Sequence, residues 1–353
     1  MIEKNYNVLA VMSGTSLDGV DLAYINIYKK EHWKYNFLQV ETIAYSNFWK
    51  SELKKLIKTD YKSLKKIDKR YTKLLGKLIL DFIKKHDIKS IDVLCSHGHT
   101  ALHQPENKLT YQIGNLPEIA TITQLKTVCD FRVQDVALGG QGAPLVPIGD
   151  LLLFYNYDAC INLGGFSNIS KTILYERVAY DICPVNIVLN HFISKINLDY
   201  DVDGAIASSG VVCNDLFHEL NELHFYKHSN PKSLGLEWVN NIFLSIIETY
   251  DLSLENILCT LVEHAAYQIS LHIKDLKSAL FTGGGVYNKY LMSRIRSFTN
   301  TEVIIPDANL IEFKEALIFG LLGVLKLENE VNCLASVTGA VKNHSSGKIY
   351  LPS

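Results

Sequence analysis

The chain has 353 residues, a formal net charge of −2 and 48% hydrophobic residues, a composition typical of a globular protein with room for two domains. This charge balance gives no reason to expect a nucleic-acid partner, and the apolar stretch at 316–327 is interrupted by Lys326 and is too short to cross a membrane. The seven cysteines form no C-x-x-C pair, which indicates reduced thiols. The apolar run at 8–12 is too short for a signal peptide, so we expect a cytoplasmic protein without membrane or nucleic-acid partners.

A glycine turn lies between two segments with strand character, at 8–12 and 20–28. The ten residues from Met12 to Asp21 read MSGTSLDGVD. Such a turn directs backbone N–H groups and hydroxyls to one spot, which makes it a candidate site for an anion such as phosphate. Taken alone, this turn is better interpreted as an ordinary hairpin.

A third strand is expected at 37–46, a Lys-rich helical segment at 48–86 and a short buried strand at 91–95. Three histidines follow with the spacing H-x-H-x-x-x-H: His97, His99 and His103. Only Cys95 lies nearby as a further ligand, so polar contacts to a sugar or structural roles are favoured over a zinc site.

The sequence then becomes rich in glycine. Arg132 lies between Asp130 and Asp135, and residues 139–147 read GGQGAPLVP. Ordering so many glycines is entropically costly, so this segment is expected where backbone passes close to a ligand or to another domain.

The second half repeats the early pattern. Strands are expected at 159–163, 169–174 and 178–182, and Gly164-Gly165 lies between the first two, as Gly14 does in the first half. Helices are expected at 185–196, 216–223 and 252–277. The strand at 279–282 leads through Gly283-Gly284-Gly285 to a helix from residue 289, and the last helix, at 312–327, precedes a tail with one short strand. Three glycine turns in two similar halves favour a nucleotide phosphate site and predict domains at 1–150 and 151–353.

These segments, in this order, resemble the anhydro-N-acetylmuramic acid kinases, within the superfamily of actin, Hsp70 and sugar kinases. The resemblance rests above all on MSGTSLDGVD and GGQGAPLVP, and further segments extend it along nearly the whole chain. It implies an α/β fold of duplicated ribonuclease H-like (actin-like ATPase) domains with a central cleft. It also implies a homodimer, although the sequence itself gives no indication of the oligomeric state.

The resemblance implies one reaction. Such kinases use ATP and water to open the ring of 1,6-anhydro-N-acetylmuramic acid in cell-wall recycling, giving N-acetylmuramic acid 6-phosphate and ADP. The bridging 6-oxygen has no proton to lose, so water must attack the anomeric carbon while that oxygen takes the phosphoryl group. The chemistry calls for a general base, a Mg²⁺–phosphate clamp and a site for the sugar.

Asp181 is expected near the end of a strand, where a carboxylate can act as the base, and it matches the family's catalytic aspartate. Without the resemblance it reads as the N-cap of the next helix. Asp18 could hold Mg²⁺ directly or through water, or could simply form a turn. The other residues expected to contact ATP are Gly14, Thr15, Ser16, Gly19, Asp21, Gly164, Gly165, Gly283, Gly284 and Gly285.

Thr100, Arg132 and Glu315 are the expected sugar-binding residues. The planar fork of Arg132 suits a carboxylate or phosphate, although a plain surface ion pair is the alternative. Glu315 is expected at the beginning of the last helix, where an acidic residue is also favoured by the helix dipole.

The chain departs from the family pattern next to the expected base. Cys183 and Val185 replace two glycines, and these side chains are expected to narrow the crevice; His99 also stands where glutamine is expected. Two alternatives therefore stay open: a kinase for another amino sugar, and a nucleotide- or sugar-binding homologue without catalysis.

Overall fold

The computed structural model describes residues 4–14, 17–228 and 232–353. Two compact units make up the chain. Unit 1 comprises Met1–Leu153 together with Phe313–Ser353, and unit 2 comprises Phe154–Glu312.

Unit 1 contains a six-stranded sheet and a separate two-stranded sheet. The strands are β1 Lys4–Met12, β2 Gly19–Lys29, β3 Trp33–Ala44, β4 Val93–Ser96, β5 His99–Gln104, β6 Leu109–Ile113, β7 Thr127–Cys129 and, near the end of the chain, β13 Lys348–Tyr350. The large sheet has the order β13-β7-β4-β1-β2-β3. β1, β2 and β3 pair antiparallel, whereas β4 is parallel to β1 and β7 is parallel to β4.

The helices of unit 1 connect and cover these strands. They are α1 Asn47–Lys54, α2 Tyr61–Lys85, α3 Glu118–Thr123, α4 Val133–Ala137 and α5 Val146–Leu153. The Asp60 carboxylate caps α2 by accepting a hydrogen bond from the Ser63 N–H group at 3.0 Å. Apolar residues at helical spacing bury one face of α2, and the buried Tyr71 belongs to that face.

Unit 2 is built around a five-stranded sheet. Its strands are β8 Ala159–Leu163, β9 Phe166–Ile173, β10 Glu176–Pro184, β11 Ser278–Thr282 and β12 Glu302–Ile304. Its helices are α6 Asn186–Ile193, α7 Ala205–Ser209, α8 Asn214–Asn221, α9 His224–Lys227, α10 Leu236–Trp238, α11 Leu244–Ile247, α12 Leu254–Ile273 and α13 Lys289–Phe298. The next helix, α14 (Ala308–Leu327), starts in unit 2 and continues in unit 1, and α15 (Ala335–Thr338) belongs to unit 1.

The two sheets share one topology. The order β10-β9-β8-β11-β12 repeats β3-β2-β1-β4-β7, with three antiparallel strands followed by two that run parallel to the first. Each unit thus has a ribonuclease H-like sheet, and the predicted duplicated α/β fold is confirmed. The expected strand and helix types are present in both halves, and the ends of most elements differ from prediction by a few residues.

The division of the chain differs from the predicted domains in its last part. Residues 313–353 belong to unit 1, whereas the prediction assigned them to the second domain. β13 pairs with β7, and α14 lies so close to β4 that a Cβ atom on Gly323 would come within 2.1 Å of the Cys95 sulfur. The return of residues 313–353 to unit 1 depends on contacts between residues that are distant in sequence, and local sequence patterns do not reveal such contacts.

In the part of the chain that the structure describes, every helix is too short or too polar to cross a membrane.

Candidate functional site

The first glycine turn connects β1 and β2, as predicted. Gly14 lies in it, whereas Thr15 and Ser16, both predicted to contact ATP, lie outside the described residues. The Asp18 side chain is exposed, which leaves an oxygen ligand accessible to a hydrated cation. Close packing requires glycine at position 19, since a Cβ atom there would lie 2.5 Å from the Ile43 carbonyl oxygen.

A buried hydrogen-bond cluster lies directly before this turn. The Ser13 hydroxyl is 2.5 Å from the Tyr45 hydroxyl, 2.8 Å from the Tyr71 hydroxyl and 3.0 Å from the Nδ1 atom of His99. Burial lowers the pKa of His99 to about 4, so the imidazole is neutral at physiological pH. Sequence reasoning missed this role because the four residues come from different elements. Thr100, the next residue in β5, is half-buried and pairs with Gln112 of β6.

Arg132 is held by two hydrogen bonds within unit 1. Its Nε group donates to the Nε2 atom of His97 at 2.9 Å, and its Nη1 group donates to the Gly142 carbonyl at 2.7 Å. The Nδ1 group of His97 donates to the Gly98 carbonyl at 2.7 Å, which leaves Nε2 as the acceptor of a neutral imidazole. Burial accordingly shifts the His97 pKa well below its ordinary value, and the Arg132 charge lowers it further.

The alternative that Arg132 forms a plain surface ion pair is wrong. Asp130 instead pairs with Lys348 at 2.6 Å, and the buried Asp135 carboxylate accepts a hydrogen bond from the Gly142 N–H group. Burial lowers the pKa of Arg132 to about 10, so the guanidinium remains charged at neutral pH. Among the described residues, its Nη2 group has no hydrogen-bond partner, so one edge of the fork is available to an anionic ligand.

Glu315 lies in α14 just after a kink at Phe313, which divides this helix into two segments. It therefore stands at the beginning of the last helical segment, as predicted. Glu315 is partly exposed to solvent. Desolvation by the surrounding protein nevertheless raises the pKa of its carboxyl group. The Arg132 charge opposes this shift and the Asp21 charge adds to it, so the three groups are electrostatically coupled.

The position of Glu315 is fixed by its neighbour. Lys314 is buried and forms an ion pair with the buried Asp150 of α5 at 2.8 Å. A buried pair of this kind is costly to break, since either partner alone would be an uncompensated charge. The pair therefore anchors α14 directly beside Glu315.

Asp181 stands in a row of polar side chains that crosses the sheet of unit 2. The register aligns it with Asn168 of β9, Asn162 of β8 and Thr282 of β11. Residues in one row project from the same face of a sheet. Asp181, Asn168 and Asn162 are all half-buried, so this face offers a carboxylate and two amides to a ligand. The alternation of β8 and β9 could have suggested the two asparagines, but sequence reasoning assigned them no role.

Among the described residues, only one oxygen of the Asp181 carboxylate accepts a hydrogen bond. Its Oδ2 atom accepts a hydrogen bond from the Leu234 N–H group at 2.8 Å, and in the described part of the chain no group bonds to Oδ1. Burial raises its pKa above the ordinary value for aspartate. The alternative that Asp181 caps the next helix is wrong, because α6 has Val185 at its N-cap position and receives no side-chain cap.

The two glycine turns of unit 2 lie side by side, after the parallel strands β8 and β11. Gly283 has a φ angle of 84°, and a Cβ atom there would lie 2.6 Å from the Asn162 side-chain oxygen. A Cβ atom on Gly284 would have no neighbour within 4 Å, so its backbone is open to a ligand. The Gly164 N–H group already donates to the Phe166 carbonyl, and the Gly165 carbonyl accepts from two N–H groups at the start of α6.

The expectation that Cys183 and Val185 narrow a crevice is wrong. Both side chains are fully buried in the hydrophobic core of unit 2, and the Cys183 sulfur faces the Ala265 carbonyl at 3.9 Å. The bulge in β10 between Asp181 and Cys183 separates the half-buried carboxylate from the buried thiol.

We therefore expect that restoring glycine at both Cys183 and Val185 destabilises the protein and leaves sugar preference unchanged. Two buried side chains are removed and two flexible residues are introduced, so the free energy of unfolding should fall by about 3 kcal/mol or more. Denaturant unfolding and relative kcat/KM values for several amino sugars measure the two effects. A changed sugar preference with full stability would contradict this interpretation.

Comparisons with known proteins agree on one family. Residues 6–352 match the family model described as "Anhydro-N-acetylmuramic acid kinase". Curated proteins with that name include one from Sulfurimonas denitrificans, 32% identical over 97% of this chain and 98% of that protein, and one from Sulfurovum sp., 33% identical with the same coverage. A third, from Francisella tularensis subsp. novicida, is 32% identical over 99% of both chains.

Proposed function

Because the chain belongs to the anhydro-N-acetylmuramic acid kinase family, and is thus a sugar kinase for the anhydro sugar, we propose that it opens the ring by hydrolysis while phosphorylating O6. The observation that carries this proposal is the Asp181 carboxylate. It is half-buried, fixed through Oδ2 and free at Oδ1 with respect to the described residues, so it can accept a proton from water. A role in cell-wall recycling follows from this substrate and is part of the proposal.

In the proposed step, water adds to the sugar while the γ-phosphoryl group moves to the bridging oxygen. Asp181 takes one proton from water while the water oxygen forms a bond to the anomeric carbon. The bond between that carbon and the bridging oxygen breaks, and the bridging oxygen keeps the electron pair. That oxygen forms the new bond to the γ-phosphorus, and ADP leaves with the electrons of the bond it loses. The products are the 6-phosphate and ADP.

Unit 1 supplies the groups that suit the anionic sugar. Arg132 carries a fixed positive charge with donors available to the lactyl carboxylate, and Glu315 and Thr100 are the proposed acceptor and donor for other polar atoms of the ligand. The electrostatic coupling of Glu315 to Arg132 supports their assignment to one ligand.

The nucleotide is assigned to the glycine turns. Gly283, Gly284 and Gly285 follow a parallel strand, beside the turn of Gly164 and Gly165, and the open backbone at Gly284 supports a phosphate contact. In unit 1 the proposed contacts are Gly14, Gly19 and Asp21, with Thr15 and Ser16 outside the described residues.

Asp18 is the proposed Mg²⁺ residue. The ion prefers oxygen ligands and keeps several waters, and an exposed carboxylate on a turn is chemically suited to hold it directly or through water. When bound, Mg²⁺ neutralises charge on the phosphates. Asp21 contributes a second carboxylate nearby in sequence, and its Oδ1 accepts a hydrogen bond from the Thr42 hydroxyl at 2.6 Å.

The direct test measures ADP release from ATP with three sugars: 1,6-anhydro-N-acetylmuramic acid, N-acetylmuramic acid and N-acetylglucosamine. We expect turnover with the anhydro sugar and little with the other two, since only the first has the strained bridge. Clear activity on another sugar alone would overturn the proposal. No turnover with any of them, from folded protein that binds ATP, would favour a binding homologue.

The pH profile gives a second test of the base. Asp181 must be deprotonated to accept a proton, so kcat/KM should fall as the pH falls through its pKa in the free enzyme. Because burial raises this pKa, the midpoint of the acid limb should lie above 3.8, the ordinary value for aspartate. A midpoint at or below that value, with the protein still folded by circular dichroism, would contradict the assignment.

A further inference from the structure

A buried cluster outside the proposed site combines three different metal-binding side chains. Asp135 of α4 lies beside Cys333 and His344 of the C-terminal segment, and their ligand atoms are all within 4.8 Å of one another. The three residues are 0%, 1% and 6% exposed. Reciprocal backbone hydrogen bonds of 3.1 Å between Cys333 and His344 hold the two side by side.

One atom of this cluster lacks a hydrogen-bond partner. The Nδ1 group of His344 donates to the Lys342 carbonyl at 3.1 Å, so Nε2 of a neutral imidazole is an acceptor. Among the described residues this buried Nε2 atom makes no hydrogen bond, and it faces the Asp135 Oδ1 atom at 3.5 Å. Two buried acceptors that face each other repel, and a proton or a cation between them would remove this repulsion.

The distances favour a cation. A protonated imidazole bound to a carboxylate brings nitrogen and oxygen to about 2.7–2.9 Å, whereas two such ligands of one tetrahedral zinc ion lie about 3.3 Å apart. The observed separation between Nε2 and Oδ1 is 3.5 Å. The Cys333 thiol donates a hydrogen bond to the same Oδ1 atom at 3.0 Å. After loss of the thiol proton, a small outward movement of the sulfur would give it the spacing of a third ligand.

We propose that Asp135, Cys333 and His344 bind a zinc ion. A thiolate and a carboxylate would neutralise the two charges of the ion, and water would take the fourth position. Binding displaces the thiol proton to solvent, so zinc affinity should rise with pH. Nitrogen, sulfur and oxygen ligands together suit zinc better than Mg²⁺ or Ca²⁺.

The surrounding hydrogen bonds fit such a site. The Thr338 hydroxyl donates to Oδ1 of Asp135 at 2.7 Å, and the Gly142 N–H group donates to Oδ2 at 2.7 Å. Together with the bond from His344 to the Lys342 carbonyl, they orient two of the three ligands, as groups around metal sites usually do. The Gly142 carbonyl accepts a hydrogen bond from Arg132. The bound ion would therefore stabilise the loop that positions the Arg132 guanidinium.

The test starts from full-length protein purified without chelators or added metal. Elemental analysis should find about one zinc per chain. After removal of the metal, added Co²⁺ should give the near-ultraviolet absorption of a thiolate–cobalt bond, a signature that a purely hydrogen-bonded cluster cannot produce. Cys333→Ala and His344→Gln should each weaken zinc binding at least about tenfold, as measured by competition with a chromophoric chelator.

Cys129→Ala is the matched control, since Cys129 is equally buried in unit 1 but lies outside the cluster. It should keep the zinc and the cobalt absorption. Wild-type protein without zinc and without a thiolate–cobalt signal would overturn the proposal, even if the cluster variants fail to fold. Absorption that persists in folded Cys333→Ala protein would also overturn it, because the thiolate would then belong to another cysteine.

Discussion

Asp181→Asn is expected to lower kcat by about 10²–10⁴-fold while ATP still binds. The amide keeps the size of the side chain and can still contact the Leu234 N–H group, but it cannot take the proton from water. Steady-state kinetics with the anhydro sugar and ATP titration measure the two effects separately.

Asp199→Asn is a suitable control for this variant, since it makes the same change at an exposed position of unit 2. The control should keep wild-type kcat. If Asp181→Asn also turned over at the wild-type rate, the base would have to lie elsewhere and the central assignment of the site would be wrong.

Arg132→Lys is expected to lower kcat/KM for the sugar by about 10- to 100-fold. Lysine keeps the charge but loses the planar fork, so the Nε2 atom of His97 and the Gly142 carbonyl cannot both keep their donors while the ligand is bound. The loss should appear mainly in KM for the sugar, with KM for ATP unchanged, in a two-substrate kinetic analysis.

Arg70→Lys provides the same substitution on an exposed helix surface of unit 1, where the arginine pairs with Glu52. We expect no kinetic effect there. Equal losses in the affinities for sugar and ATP in Arg132→Lys would indicate a general structural role instead of a contact to the sugar.

The fold was largely predictable because its signals are local. The turn between β1 and β2, the Gly164-Gly165 turn and the strand leading to Gly283 all appear as apolar runs broken by glycine. The structure adds the shared strand order, which is a long-range property. The return of residues 313–353 to unit 1 escaped prediction for the same reason, since β13 pairs with a strand more than two hundred residues earlier.

The site was predictable in its charged residues and less so in their surroundings. Asp181 and Arg132 stand in recognisable motifs, but their partners Leu234 and His97 are far away in sequence. The prediction that Cys183 narrows a crevice was wrong because the direction of this side chain depends on the bulge in β10. No residue pattern indicated that bulge.

The most direct measurement of the central claim follows the oxygen of water into the product. The reaction is run in ¹⁸O-labelled water and analysed at short times by mass spectrometry, with unlabelled N-acetylmuramic acid 6-phosphate in the same water as a control for slow exchange. We predict one ¹⁸O atom at the anomeric carbon of the sugar phosphate and none in its phosphoryl group. A phosphorylated sugar that still contains the anhydro bridge, or label found only in inorganic phosphate, would contradict the account.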